Sequence, residues 1–325
     1  MTTPTPWVER YKPLDFDHVV GNTNTVNVLS NLAERKRAIP NLLIYGPSGC
    51  GKTACVDILC KEMVGESRGP RVLRLSSFDE RGIDAVRTTI INFARTRVGT
   101  EEERPVLQKI VVLDEADSMS HGAFQALRRV MEVCSAVTRF IIVCNDSTKI
   151  IEPIQSRCAI LRFSKVDDGP LRSRIAGICD AAGAEYTPGG LDALVCVANG
   201  DVRRAINSLS STVSAFRTVT ADNVYKTCDT PQPEKIAEIA GLLRLRDKQG
   251  FFGACAKMRG LCDEGYSPAD IVSSFFKALS EITDDETERI EVAKAIGLTQ
   301  ATVLSGTSTY LQLAAMLWSI ARVLD

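Results

Sequence analysis

Asn41-Leu42-Leu43-Ile44-Tyr45-Gly46-Pro47-Ser48-Gly49-Cys50-Gly51-Lys52-Thr53 is the stretch from which the rest of the chain can be read. Its last eight residues fit G-x-x-x-x-G-K-[ST] at every fixed position. The apolar run before them predicts a buried strand, and the helical run 54–63 after them completes the strand–loop–helix context that the pattern needs. Glycines let backbone N–H groups curl around phosphates, and the helix N-terminus adds partial positive charge. Lys52 is then the group that reaches the β and γ phosphates of a nucleoside triphosphate, and Thr53 offers a hydroxyl to Mg²⁺. A glycine-rich turn that matches by chance carries little weight once this context is present.

Outward from this loop, the first half of the chain alternates short apolar runs with helical patterns. Candidate strands are residues 41–45 (NLLIY), 72–75 (VLRL), 109–113 (KIVVL), 139–144 (RFIIVC) and 159–163 (AILRF). These runs are continuous rather than alternating, which predicts strands covered on both faces. Between them, residues 123–134 (AFQALRRVMEVC) put Phe124, Leu127, Val130 and Met131 on one face of a helix. The alternation predicts an α/β domain with a parallel sheet over residues 1–165. From Asp168 onward no strand is expected. Helical periodicity there is broken at Thr187-Pro188-Gly189-Gly190, at Asn199-Gly200-Asp201 and at Asp229-Thr230-Pro231-Gln232-Pro233. The last break holds two prolines and is the best boundary. It predicts a small helical domain over 166–230 and an all-helical one over 231–325.

A second element must hold the metal and organise a water. Residues 110–117 (IVVLDEAD) read as a buried strand ending in carboxylates. Asp114 can coordinate Mg²⁺, commonly through water, and Glu115 can polarise the attacking water as general base. Alone, Asp-Glu-Ala-Asp also fits an RNA helicase or a solvated strand end. Downstream of a complete phosphate loop, the catalytic reading is preferred. A small-molecule kinase fits less well, because this acidic pair serves water rather than a second substrate.

Composition removes other classes. The 325 residues carry 39 Lys and Arg against 40 Asp and Glu, a formal charge of −1, so any nucleic-acid contact must come from a local basic surface. No apolar run approaches a membrane span, and residues 1–13 lack the apolar stretch of a signal peptide, which predicts an intracellular protein. The 11 cysteines form no C-x-x-C pair, and their odd count and irregular spacing predict reduced thiols. With only His18 and His121 as imidazoles, a zinc site is not expected, and His121 reads as a helix-start residue.

Several further strings occur together. They are Pro6-Trp7-Val8-Glu9-Arg10-Tyr11-Lys12-Pro13, Asp79-Glu80-Arg81-Gly82-Ile83-Asp84, Gln125-Ala126-Leu127-Arg128-Arg129-Val130-Met131-Glu132, Ser156-Arg157-Cys158 and Gly200-Asp201-Val202-Arg203-Arg204-Ala205-Ile206-Asn207. In this order they resemble the boxes of the replication factor C family, the AAA+ small subunits of sliding-clamp loaders. The strings 224–229 (VYKTCD) and 265–270 (GYSPAD) extend the resemblance into the last domain. The resemblance implies an AAA+ P-loop module with a five-stranded sheet, a helical lid and an all-helical collar. It implies an ATP- and Mg²⁺-dependent ATPase in the nucleus, serving DNA replication and repair. Its partners would be the other subunits of a hetero-pentamer with one large subunit, a ring-shaped clamp and primer–template DNA.

Position by position, the resemblance puts Val8 and Lys12 beside the adenine, and Gly46, Pro47, Ser48, Gly49, Cys50, Gly51, Lys52 and Thr53 around the phosphates. Asn145 would be the first sensor, bonding the attacking water or γ-phosphate, and Arg203 the second, reaching in from the lid. Arg157 would be an arginine finger acting in trans on a neighbour's ATP. Arg81, Arg87 and Lys149 would face DNA phosphates, although each reads nearly as well as a solvated surface charge. Three departures stand out: Lys12 where the family has Arg, which removes a planar stacking surface; Phe78 where a small residue is usual; and Ser48 and Cys50 at tolerant loop positions. In the helical run 85–97, Ile90, Ile91 and Phe93 suit a clamp-docking patch less well than a core. The apolar residues Phe251, Phe252, Phe275, Phe276, Leu311 and Leu313 exceed what one small bundle needs, which predicts contacts with sister subunits. Against the motor reading stand two others: a nucleotide-binding structural arm of the same or a checkpoint-type loader, and an unrelated helicase, which the lack of a second motor domain disfavours.

Overall fold

The fold is seen in a computed structural model, which describes residues 5–35, 39–65, 71–76, 83–96, 109–135, 137–283 and 285–324. The chain divides into two compact units, residues 1–220 and 221–325. In the first, strands β1 (Leu42–Tyr45), β2 (Val72–Ser76), β3 (Lys109–Asp114), β4 (Thr138–Cys144) and β5 (Ala159–Arg162) form a parallel sheet ordered β2-β3-β4-β1-β5.

The continuous apolar runs follow from a sheet with a core on each face. Leu42, Ile44, Ile110, Val112, Ile141 and Val143 pack on one side, with the helices Thr23–Glu34 and Lys52–Val64. Leu43, Val111, Leu113, Phe140, Ile142 and Cys144 pack on the other, with Phe124, Leu127, Val130 and Met131 of the helix His121–Cys134. Each fully buried Leu, Ile or Val contributes roughly 1.5–3 kcal/mol, so β1, β3 and β4 make a rigid platform. His121 opens its helix as expected, with Ser120 Oγ accepting from Ala123 N at 3.3 Å. The helix seen over Ile83–Arg95 buries Ile90 and packs Ile91 and Phe93 against the sheet, which favours the core reading of that segment.

Two expectations need correction. β5 is an edge strand covered on one side only: Leu161 and Phe163 pack inward, while Ile160 is half exposed. Beyond Asp168 there are also two short strands, β6 (Glu185–Tyr186) and β7 (Thr218–Val219), which pair in parallel. Two residues per strand are too few to show a period. Lys109, which the strand reading counted with its apolar run, is a buried cation. Its Nζ donates to the carbonyls of Phe93, Ala94 and Thr96 at the end of the helix Ile83–Arg95, and burial lowers its pKa.

The rest of the first unit is the helices Asp168–Ala182, Pro188–Ala198 and Val202–Phe216. The breaks read from the sequence are their caps. Thr187 Oγ1 accepts from Gly190 N at 3.1 Å with Pro188 at the first turn, and Asp201 Oδ1 accepts from Arg204 N at 2.9 Å. Helices account for the second unit among its described residues, from Ala221–Cys228 to Tyr310–Leu324. Its core holds Ile239, Met258, Phe275, Ile296, Leu313 and Leu317. Of the apolar residues assigned to sister contacts, Phe275 and Leu313 are therefore internal. Phe252, Phe276 and Leu311 are exposed, as is Trp318, whose ring meets Phe251 edge-on. Among the described residues, no helix is long and apolar enough to cross a membrane.

Candidate nucleotide site

Parallel strands put their carboxyl ends on one edge of the sheet, where ligands of open α/β folds bind. Because β4 lies between β3 and β1, Asn145, which follows β4, sits between Asp114 at the end of β3 and the loop that leaves β1. The glycines of that loop are required by geometry. Gly46 has φ +151° and Gly49 φ +66°; a Cβ would strike the Phe163 carbonyl at the first and the Asp201 carboxylate at the second. The helix Lys52–Val64 starts from Gly51, also at positive φ, so its first N–H groups lack intrahelical acceptors and suit an anion.

Lys52 is buried, and its ammonium donates to Gly46 O at 2.7 Å, Pro47 O at 2.6 Å and Asn145 Oδ1 at 3.0 Å. Asn145 in turn donates from Nδ2 to Asp117 Oδ2 at 3.4 Å. Asp114 is half-buried and accepts from Glu115 N at 3.0 Å, whereas Glu115 is exposed. Glu115 also has φ +52°, a conformation that non-glycine residues rarely take, which turns the chain into the short 3₁₀ helix Ala116–Ser118.

Most of these groups line one cavity of about 300 Å³. Ser48, Gly49, Cys50, Gly51, Lys52, Thr53, Asp114, Glu115, Asn145, Val8, Lys12 and Arg203 all border it. Gly46 and Pro47 do not; their carbonyls face Lys52 instead. The helix Val202–Phe216 is tied to the loop twice, by Val202 N to Gly49 O at 3.1 Å and by Ser48 Oγ to Asp201 Oδ2 at 3.3 Å. Lys12 pairs with Asp57 at 2.6 Å, and Arg74 pairs with the same carboxylate. The charge of Lys12 is thus engaged by the helix that follows the loop.

Sequence reasoning missed several cavity residues, among them Tyr11, His18, Val19 and Arg174. Arg174 donates to the Tyr11 carbonyl at 2.7 Å across 163 positions, and no local pattern signals such a contact. The Tyr11 hydroxyl is buried with no hydrogen-bond partner among the described residues. Arg157 lies outside the cavity, held by Glu132 and the Pro153 carbonyl. Lys149 is exposed in the 3₁₀ helix Ser147–Lys149. Arg81, Phe78 and the Arg87 side chain lie outside the described residues.

Thr53 and Asp114 are hard oxygen donors that suit Mg²⁺, which keeps several waters and substrate phosphates in its shell. Among the described residues no group of three or more His, Cys, Asp or Glu could hold a metal by itself. Burial disfavours the thiolates near the site: it pushes Cys55 and Cys144 up to about 12 and raises Cys50 as well. The thiolate is the nucleophile, so at pH 8 iodoacetamide is expected to alkylate exposed Cys196 while sparing Cys55 and Cys144. Peptide mass mapping checks this; early labelling of Cys144 would show that the cavity wall opens.

Two family models match the chain. "ATPase family associated with various cellular activities (AAA)" covers residues 42–166, and "Replication factor C C-terminal domain" covers 231–319. The chain is 42% identical to "Replication factor C subunit 4" of Oryza sativa subsp. japonica, over 98% of this chain and 93% of the relative. It is 40% identical to "Replication factor C subunit 2" of Arabidopsis thaliana, again over 98% and 93%. A solved structure of the Thermotoga maritima RuvB Holliday junction branch migration motor superposes with a TM-score of 0.56 at 15% identity. It spans 95% of this chain and 90% of that one, a likeness of fold.

Proposed function

From the premise that this chain belongs to the replication factor C family and is an ATPase subunit of that clamp loader, we propose that the cavity at the sheet edge is its ATP site. The relatives it resembles include the subunit numbered 4 in rice and the one numbered 2 in Arabidopsis. One observation carries the site assignment: the buried Lys52 ammonium is gathered by the loop carbonyls and Asn145, with Asp114 and Glu115 on the same cavity. In this reading Lys52 exchanges carbonyl partners for the β and γ phosphates, and Asn145 turns its amide to the γ-phosphate or the attacking water. Thr53 and Asp114 hold Mg²⁺, which when bound neutralises phosphate charge. Glu115 takes the proton of the attacking water. Val8 and Lys12 border the adenine, and Arg203 approaches the γ-phosphate from residues 166–230, which act as the lid.

The same premise supports a nuclear hetero-pentamer with one large subunit that opens a ring-shaped clamp on primer–template DNA. Residues 231–325 form its collar, with Phe252, Phe276, Leu311 and Trp318 among the exposed apolar side chains available to sister subunits. Arg81, Arg87 and Lys149 supply cations for the DNA backbone. The structural-arm alternative is not favoured, because a base, a metal carboxylate and both sensor residues are all present.

Lys52→Ala is the direct test. ATP affinity measured by calorimetry should fall on the order of a hundredfold, since the phosphates lose charge-assisted hydrogen bonds. Unchanged affinity would remove the cavity from consideration as the ATP site.

A further inference from the structure

We propose that Glu132 is the positioning residue for the Arg157 guanidinium, fixing its direction toward a neighbouring subunit's nucleotide. The inference rests on the reading that Arg157 acts in trans. Glu132 ends the 125–132 (QALRRVME) string, which the nucleotide site does not use. Its Oε1 accepts from Arg157 Nη2 at 2.7 Å, while Arg157 Nη1 donates to Pro153 O at 2.6 Å. Two acceptors on the two terminal nitrogens fix both the position and the plane of the guanidinium. The remainder of its five N–H donors can still face an anion.

Both ends of this arrangement are anchored. Asn41, which precedes β1, donates from Nδ2 to Arg157 O at 3.4 Å, and its own carbonyl accepts from Ala159 N at 2.7 Å. The root of Arg157 is thereby tied to the sheet. On the other side, Arg128 Nε reaches the same Glu132 oxygen at 3.4 Å from one turn earlier in the helix. The Arg157 and Glu132 side chains remain 36% and 45% exposed. A pair so exposed contributes little to fold stability. A charge that stabilises a transition state is most effective when it needs no reorientation at the moment of reaction.

The test uses the reconstituted loader with clamp and primer–template DNA, its nucleotide sites other than the one facing Arg157 having been inactivated. Glu132→Ala should lower kcat roughly tenfold or more, as for a misplaced catalytic group, with KM for ATP unchanged. Glu132→Gln keeps an acceptor oxygen and should recover most of that loss. The Arg157→Ala, Glu132→Ala double variant should turn over no more slowly than Arg157→Ala alone. A normal or raised kcat for Glu132→Ala, or losses that add in the double variant, would overturn the positioning role while leaving the finger intact. If Arg157→Ala alone turned over normally, the finger reading itself would fall, and this inference with it.

Discussion

Glu115→Gln is expected to bind ATP normally and to hydrolyse it slower by roughly two to four orders of magnitude. Glutamine keeps the shape of the side chain and removes its basicity. None of the hydrogen bonds that gather Lys52 and Asn145 involves the Glu115 carboxyl, so the phosphate-binding groups stay where they are. Glu115 is exposed on the cavity and holds φ +52°, a backbone conformation that costs on the order of 1–3 kcal/mol outside glycine. That cost is sustained by the buried strand β3 before it and by Ala116, which is fully buried, after it. The substitution leaves the backbone strain in place, so stability should not change. Calorimetry for binding and single-turnover hydrolysis in the assembled loader separate the two effects. Hydrolysis within tenfold of the unsubstituted protein would mean that another group takes the water's proton.

The sequence made the sheet and the phosphate loop legible for a local reason. Leu42–Tyr45 lies between β4 and β5 with buried side chains facing both ways, so its run is continuous, and the loop's chemistry is written in contiguous residues. Asp114 and Glu115 could be read because they end such a run, whereas Asn145 came from the family resemblance. β5 was misjudged by the same rule: Ala-Ile-Leu-Arg looks continuous, yet Ile160 faces outward at the sheet's edge. Edge or centre is decided by strand order, which periodicity does not contain. The contacts of Arg174 with Tyr11 and of Asp201 with Ser48 were missed because they span 163 and 153 positions. Which aromatic side chains of the second unit stay exposed also depends on how its helices pack, as Phe275 and Phe276 show by being neighbours with opposite fates.

Arg157→Ala should leave ATP binding at this chain's own site unchanged and slow hydrolysis at one neighbouring site by about a thousandfold or more. Arg157 is absent from the cavity lined by Lys52 and Asp114, so its loss cannot remove a contact there. Its guanidinium also caps the short helix Glu152–Gln155 through the Pro153 carbonyl, which offers a purely structural account of the residue. The two accounts differ in magnitude. Contacts this exposed are worth about 0–1 kcal/mol, enough to move a melting temperature by a few degrees and far too little for a thousandfold change in rate. A finger meets charge that develops only in the transition state, so its removal lowers kcat with little effect on KM. Melting temperature and steady-state hydrolysis, measured on the same Arg157→Ala assembly with its other sites inactivated, therefore decide between them. An assembly that melts earlier yet turns over at the normal rate would leave Arg157 as a helix cap, and DNA-stimulated clamp loading would then survive the substitution.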